Sequence, residues 1–319
     1  MTSVGLVLGG GGITGAAYQL ATLMALRMAT GWEPDSADVV IGTSGGAFTA
    51  AMVRGGRLDI ETLVGDTHHR HEVSDRLRGY LFRRSLPRGI GRWMRRGVLP
   101  ALRRPNLNLV LGSPALYHTG GLGEWVEEAI GDAAKGWPDK PTVIVAYDIQ
   151  SKDRMPFGTE AAPDVSLKDA VRASAAVPFV FEPVRLDGTW YADGGLGSGT
   201  SADLLLANPT PLDLVIIVAP LASTHVRDEA RFYEETLDRI GREALDAELE
   251  LIESTWPNTD ILVLRPSPEI LTAARPNPLS TEAALPTFLR TLRTLRDHLG
   301  SPEIWSVLKR HLVDPAERT

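Results

Sequence analysis

Two apolar segments of strand length are each followed directly by a glycine-rich turn and then by a helical pattern. The first is VGLVL, which runs into GGGGITG at residues 9–15 and an Ala- and Leu-rich stretch. The second is VVIGTSGG, which runs into AFTAAMVR. Buried apolar strands that alternate with helices are typical of parallel sheets covered on both faces. The pattern therefore predicts an α/β protein with three layers, α/β/α, and a mainly parallel central sheet.

The rest of the chain continues this alternation. Short apolar runs predict strands at residues 142–147, 183–186, 189–192, 214–219 and 261–264. Helical spacing predicts helices at residues 123–130, 167–175, 227–254, 281–299 and 303–311. Since no internal repeat or linker divides the 319 residues, we expect one large domain with C-terminal additions.

The composition excludes several classes of function. The chain has no cysteine, so it has no disulfide framework, thiolate nucleophile or Cys-ligated metal. Its net charge of −7 argues against nonspecific binding to nucleic acid. The first residues lack the basic and apolar segments of a signal peptide, and no run approaches the ~18 apolar residues of a membrane span. We therefore expect a cytoplasmic protein that does not bind nucleic acid.

The first glycine turn contains a G-x-G-x-x-G pattern, formed by Gly10, Gly12 and Gly15. In a dinucleotide-binding protein, an acidic residue at the end of the second strand holds the ribose hydroxyls. Here that strand ends in Gly42, Thr43 and Ser44, without an acid, and no Gly-Lys-Ser/Thr follows the glycines. The context therefore disfavours a bound nucleotide.

The second glycine turn has the form G-x-S-x-G, with Ser44 between Gly42 and Gly46. Small flanking residues permit a sharp turn from strand to helix, which raises a serine hydroxyl above the sheet at the positive end of the helix. This is the form of a nucleophile elbow. The alternative is an ordinary glycine-rich turn with a serine that caps the helix.

The two turns are expected at the same edge of the sheet, because parallel strands end together there. The backbone N–H groups of Gly10, Gly11, Gly12 and Gly45 would then face the Ser44 hydroxyl. Such donors stabilise the oxyanion of an acyl-transfer intermediate, and removing one costs ~3–4 kcal/mol. A nucleophilic serine also needs a base.

Asp193 is a candidate base, since it precedes Gly194 and Gly195 at the end of a predicted strand. Taken alone, Asp-Gly-Gly is more often a hairpin turn than a catalytic group. An α/β-hydrolase triad is a competing interpretation of the elbow and would use a downstream histidine, such as His225 or His298. Neither histidine lies in a distinctive loop motif, and His298 is expected at a helix C-terminus.

Taken together, these motifs resemble the patatin-like phospholipases, a family of acyl hydrolases with a Ser-Asp dyad. GGGGITG resembles the family's oxyanion loop, GTSGG its nucleophile elbow, and Asp193-Gly194-Gly195 its D-G-G/A motif. ASAAVPFVFEPV at residues 173–184 resembles the segment that precedes the family's catalytic Asp. The resemblance extends over residues 4–219 and is weak over the last hundred residues.

The resemblance implies a catalytic domain at residues 1–220, with a basic cap or flap at about 68–105. Residues 221–319 are expected to add helices and a strand to the same domain. The resemblance further implies that Asp193 accepts the Ser44 proton as Ser44 attacks a lipid ester, and that water then cleaves the acyl enzyme. Thr14 stands where the family usually has Arg or Lys, so a cationic supplement to the oxyanion hole is missing.

No metal or cofactor is implied by this resemblance. The HHRHE cluster of His68, His69 and His71 contains no pair of histidines at i and i+4, so its spacing favours a solvated helix end over a metal site. Two other functions use the same motifs. One is an acyltransferase that passes the acyl group to an acceptor other than water, and the other is a lipid-binding or regulatory protein on a weakened hydrolase scaffold.

A basic segment interrupts the otherwise acidic chain. Residues 68–104 hold 11 arginines and two acids, whereas the remainder carries 22 basic and 38 acidic residues. Between Gly and Pro breaks, its apolar residues recur at near-helical spacing, which predicts a broken helix or a flap. Peripheral contact with an anionic membrane or a lipid phosphate is one role, and pairing with the acid-rich remainder is the alternative. The residues proposed to contact lipid are Arg88, Arg92, Trp93, Arg95 and Arg96.

Overall fold

A computed structural model describes residues 2–65, 69–85, 93–94, 114–225 and 232–313. Its main sheet has eight strands: β1 Val4–Leu8, β2 Val39–Thr43, β5 Thr142–Asp148, β6 Asp153–Phe157, β7 Val184–Leu186, β8 Thr189–Asp193, β9 Leu214–Val218 and β10 Asp260–Leu264. Seven of them follow the order β10-β9-β1-β2-β5-β8-β7, and β6 pairs with β5. The first five strands in this order are parallel, whereas β8, β7 and β6 are antiparallel to their neighbours.

Ten α-helices are assigned within the described residues. They are α1 Gly12–Thr30, α2 Gly45–Arg54, α3 Glu61–Val64, α4 Arg70–Leu81, α5 Gly120–Ile130, α6 Leu167–Ser174, α7 Phe232–Thr255, α8 Pro268–Ala273, α9 Thr281–Leu299 and α10 Pro302–His311. A small ribbon pairs β3 Arg83–Arg84 with β4 Tyr117–His118. Short 3-10 helices cover Pro34–Ser36, Gly131–Lys135, Gly194–Leu196 and Ala202–Ala207.

Alternate residues of the parallel strands enter two separate cores, one on each face of the sheet. In β1, Leu6 and Leu8 join the core beneath α1, α2 and α9, whereas Val7 joins the core that includes Leu245 and Ile252 of α7. Because side chains alternate with a period of two, a strand buried on both faces must be apolar throughout. This confirms the three-layer α/β/α fold with a mainly parallel sheet.

The C-terminal residues extend this same architecture, since β10 pairs with β9 in the main sheet and α9 packs against α1. The domain boundary near residue 220 stays a prediction. Of the basic segment, Arg88, Arg92, Arg95 and Arg96 lie outside the described residues, so the proposed cap and its lipid contacts also stay predictions. None of the helices described is both long enough and apolar enough to cross a bilayer.

Candidate active site

Ser44 lies in the sharp turn between β2 and α2, with φ 55° and ψ −120°. A positive φ is strained for a serine, so the surrounding contacts must hold this conformation. The Ser44 N–H donates to Ser174 Oγ at 2.8 Å, and that hydroxyl in turn donates to the Val145 carbonyl at 2.6 Å. A side chain at Gly45 would place its Cβ 2.3 Å from the carbonyl oxygen of Gly12. Glycine at this position therefore lets the two turns touch.

The Ser44 hydroxyl does not cap the helix that follows it. It donates instead to Asp193 Oδ2 at 2.6 Å. The sheet register explains this meeting, because Thr43 is paired with Val145 while Ala146, the next residue of β5, is paired with Asp193. β8 is antiparallel to β5, and this register places its last residue, Asp193, beside the elbow.

The Asp193 carboxylate is held by its own turn. Its Oδ1 accepts from the Gly195 N–H at 2.8 Å, and its backbone N–H donates to the Ala176 carbonyl at 3.0 Å. Burial raises the pKa of Asp193 to about 6, although the hydrogen bonds from Ser44 and Gly195 partly lower it. A carboxylate with this pKa is ionised at neutral pH and is a stronger base than an ordinary aspartate.

The glycine loop after β1 lies beside Ser44, but its N–H groups are not equivalent. Gly10 donates to the Gly199 carbonyl at 2.6 Å, so its N–H is already engaged. The expectation that Gly10 is an oxyanion donor therefore needs correction: this glycine anchors the loop to the segment after Asp193. Gly11 and Gly12 remain beside Ser44, and a Cβ on Gly45 would lie 3.1 Å from the Gly12 nitrogen.

The other motif residues support this geometry. Gly42 is the last residue but one of β2, and Gly46 is the second residue of α2, where a Cβ would meet the Leu8 carbonyl. Gly15 and Thr14 lie in the first turn of α1, and the Thr14 N–H donates to the Pro278 carbonyl at 3.1 Å. Both line a separate cavity behind the glycine loop. Within the described part of the chain, Thr14 does not line the two cavities at Ser44 that are described next.

Two cavities meet at Ser44. One has a cavity volume of about 50 Å³ and is almost wholly apolar, with walls from α1, α2, α4 and α5. Phe48 and Trp125 form part of its lining, with ring centroids 4.3 Å apart. The other has a cavity volume of about 500 Å³, and its lining includes Asp193, the glycine loop, Leu221, Ile240 and Pro278. The serine hydroxyl thus lines both a small apolar cavity and a wider, also mainly apolar one that contains the Asp193 carboxylate.

Sequence reasoning missed Ser174, Gly199 and the walls of both cavities. Ser174 lies within ASAAVPFVFEPV, so the motif was visible, but nothing in it indicates that the hydroxyl binds the elbow. Among the described residues, neither His225 nor His298 lines either cavity at Ser44. The described part of the chain also contains no cluster of three or more His, Asp and Glu side chains arranged to bind a metal.

The sequence matches the profile of the family described as Patatin-like phospholipase over residues 6–206. The chain therefore belongs to the patatin-like phospholipase family. It is 25% identical over 100 residues to "Probable lipid hydrolase 463L" of Invertebrate iridescent virus 6, a match that covers 30% of this chain and 34% of that protein. The chain thus spans about a third of the length of this curated relative.

Two solved structures share similarity with the chain. VipD from Legionella pneumophila aligns over 93% of this chain and 67% of its own, with a TM-score of 0.36 and 14% identity. Human GIVD cytosolic phospholipase A2, solved in complex with methyl gamma-linolenyl fluorophosphonate, aligns over 100% of this chain and 60% of its own, with a TM-score of 0.43 and 12% identity.

Proposed function

We propose that this protein is a serine lipid acyl hydrolase in which Ser44 is the nucleophile and Asp193 the base. The observation that carries the proposal is the 2.6 Å hydrogen bond from the Ser44 hydroxyl to a buried carboxylate, at the junction with an apolar cavity. An activated hydroxyl and a water-poor, apolar neighbourhood are what attack on a lipid ester requires.

In the proposed first step, Ser44 Oγ attacks the ester carbonyl while its proton passes to Asp193. The negative charge that develops on the carbonyl oxygen is stabilised by the N–H groups of Gly11, Gly12 and Gly45. Asp193 then gives the proton to the departing alcohol. In the second step a water molecule loses a proton to Asp193 and attacks the acyl carbonyl. The bond between the acyl carbon and Ser44 Oγ then breaks, Asp193 returns the proton to Ser44 Oγ, and the free fatty acid is released.

The two cavities suggest how the substrate is oriented. The apolar cavity suits the acyl chain, because its lining includes Phe48, Leu122, Trp125 and Phe181. The wider cavity, which includes Asp193, suits the alcohol part of the ester. We therefore propose carboxylic esters of phospholipids, lysophospholipids or acylglycerols as substrates.

The mouth of the wider cavity also favours contact with a lipid surface. Ile240 lines it and is 54% exposed, and Pro178 in the lining is followed by Phe179, which is 52% exposed. Large exposed apolar residues beside a substrate cavity are typical of sites that meet another apolar surface. We propose peripheral membrane contact here, to which the basic segment would add attraction for anionic lipid.

Acyl transfer is a second candidate function. The wider cavity is lined by both Ser44 and Asp193 and has room for an acceptor alcohol beside Asp193. The distinction is tested by product analysis with a phospholipid, with and without glycerol or lysophospholipid added. Free fatty acid as the sole product supports hydrolysis, whereas a new ester that forms at the expense of fatty acid supports transfer.

Labelling with a fluorophosphonate probe tests the nucleophile directly. We expect the wild-type protein to be labelled and to cleave p-nitrophenyl esters. Ser44→Ala should lose both the labelling and the ester cleavage. Asp193→Asn should lose ester cleavage while its fold stays intact. A Ser44→Ala protein that retains full esterase activity contradicts the proposal. A folded wild-type protein that binds phospholipid but is not labelled supports the lipid-binding alternative.

A further inference from the structure

A buried carboxylate outside the dyad is contributed by α7. Glu248 is only 8% exposed and accepts three hydrogen bonds. Ser198 Oγ donates to its Oε1 at 2.5 Å, while Thr200 Oγ1 and the Ala202 N–H donate to its Oε2 at 2.5 and 2.9 Å. Hydrogen bonds to a charged acceptor in a buried site are among the strong ones in proteins. Glu248 therefore fixes the segment 198–202 at several points.

This segment is also attached to the proposed active site. It follows the Asp193 turn, to which it is joined by the Ser198 N–H donating to the Gly194 carbonyl at 3.2 Å. The carbonyl of Gly199, between the two hydroxyl residues that Glu248 binds, accepts the Gly10 N–H at 2.6 Å. A chain of hydrogen bonds thus runs from Glu248 through the segment to the glycine loop beside Ser44.

The charges around Glu248 favour a fixed arrangement. Arg154 of β6 forms two hydrogen bonds of 2.6 Å with Asp203 and stands 3.9 Å from Glu248. Burial raises the pKa of Glu248 above its ordinary value. A carboxylate is costly to bury, and polar networks of this kind fix a geometry when every member is bonded. The Ser198 hydroxyl has no hydrogen-bonding capacity left, since besides its donation to Glu248 it accepts hydrogen bonds from the N–H groups of Thr200 and Ser201.

We propose that Glu248 is a positioning residue for the oxyanion loop, acting through Gly199 and Gly10. The proposal rests on the proposed hydrolase function and adds a role for α7, which lies beyond the region matched by the family profile. Loss of the carboxylate frees the segment 198–202, which lets the Gly199 carbonyl shift. The glycine loop then no longer holds its N–H donors where the oxyanion forms. Even a small displacement of such donors lowers the reaction rate strongly.

The experiment compares Glu248→Ala, Glu248→Gln and the control Glu250→Ala in the full-length protein. Glu250 lies on the same helix, two residues further on, and is exposed. For a soluble p-nitrophenyl ester, we expect Glu248→Ala to lower kcat about tenfold or more with KM changed less than about threefold, because oxyanion donors act on the transition state. Glu248→Gln keeps one carbonyl acceptor and should recover most of the rate, and Glu250→Ala should match wild type.

A folded Glu248→Ala protein with wild-type kcat overturns the proposal, and so does a loss confined to KM. If Glu248→Ala does not fold, Thr200→Val takes its place, because valine keeps the shape of threonine and removes one of the three donors. An unchanged kcat in Thr200→Val then overturns the proposal. Fluorophosphonate labelling distinguishes failure of the proposed hydrolase function from failure of the proposed role of Glu248. A folded wild type without Ser44-dependent labelling overturns the hydrolase and the role of Glu248 together, whereas equal labelling rates in wild type and Glu248→Ala overturn Glu248 alone.

Discussion

The Ser44 hydroxyl and the Asp193 carboxylate are joined by a 2.6 Å hydrogen bond while their residues are only 7% and 6% exposed. The carboxylate accepts this hydrogen bond directly, with no imidazole between the two groups. A carboxylate in direct contact with the nucleophile must itself have a pKa close to the working pH if it is to act as a base. Burial supplies that shift here.

The pH dependence of esterase activity follows from the state of Asp193. Because its pKa is raised to about 6 and the base must be ionised, we expect kcat/KM to rise with pH through that value. The rise should follow a single ionisation and reach a plateau at neutral pH. The measurement is kcat/KM for a soluble p-nitrophenyl ester across this range. A flat profile in a protein that stays folded contradicts Asp193 as the base.

The raised pKa of Asp193 also means that its ionised form lowers the stability of the folded protein at neutral pH. Its pKa is about 6 in the folded protein and near 3.8 in the unfolded chain, so the folded state binds the proton more tightly. The free energy of unfolding therefore falls as pH rises from about 4 to about 6, by about 3 kcal/mol at full effect. We expect Asp193→Asn to have a higher Tm than wild type at pH ~8 and a smaller advantage at pH ~4. An advantage of equal size at both pH values contradicts this account.

Ser174 should matter for both stability and rate. Alanine at this position leaves the buried Ser44 N–H without its 2.8 Å acceptor, which costs about 1–3 kcal/mol. Because the same bond holds the strained elbow, we expect Ser174→Ala to lower kcat as well as the midpoint of urea unfolding. Thr291→Val is the matched control, since it removes a buried hydroxyl on α9 that donates only to the Thr287 carbonyl. Equal kcat in wild type and Ser174→Ala contradicts the prediction.

Residues of the apolar cavity should set the preference for acyl chain length. Trp125→Leu enlarges the cavity beside Phe48, so we expect a higher ratio of kcat/KM for long-chain over short-chain p-nitrophenyl esters. Leu122→Phe fills the same cavity and should lower that ratio. The ratio cancels general losses of activity. If both variants leave it unchanged, the acyl chain binds elsewhere.

Phe179 should affect activity at a lipid surface more than activity in solution. It is 52% exposed, so Phe179→Ser should cost little stability and should leave cleavage of a soluble ester within about twofold. Hydrolysis of phospholipid vesicles should fall several-fold, because an apolar contact with the bilayer is lost. Met28→Ser is the control: this residue is 78% exposed and lies about 24 Å along α1 from the glycine loop. An equal loss in both variants contradicts a specific contact surface.

Much of the fold could be predicted from local sequence. The buried strands β1, β2, β5, β9 and β10 are apolar runs between turn residues, and such runs have few alternatives in a globular protein. By contrast, β6 has the sequence DRMPF, whose charged residues and proline disfavour a strand. It forms because it lies along β5 and completes the hydrogen bonds of that side. Helices α3 and α8 were also missed, being short, and of the polar helix α4 only an end at the HHRHE cluster was predicted.

The candidate site, like the fold, was predictable from the sequence only in part. Turn chemistry in the sequence predicted both glycine turns and made Ser44 a candidate nucleophile. The pairing of Ser44 with Asp193 as its base was implied by the resemblance to the patatin-like family, and both roles stay predictions until the variants are measured. Sequence could not indicate that Gly10 donates to Gly199 or that Thr14 lines a different cavity, because both depend on residues about 190 and 260 positions away. Glu248 looks like one more surface acid of an acidic helix.

The sequence by itself determined which segments must be buried and where the chain can turn sharply, because hydrophobic pattern and glycine conformation are local properties. The tertiary structure decided which hydroxyl meets which carboxylate, which N–H groups are already bonded, and the pKa of Asp193. These properties depend on long-range pairing and on exclusion of water, and both exist only once β2, β5 and β8 lie side by side.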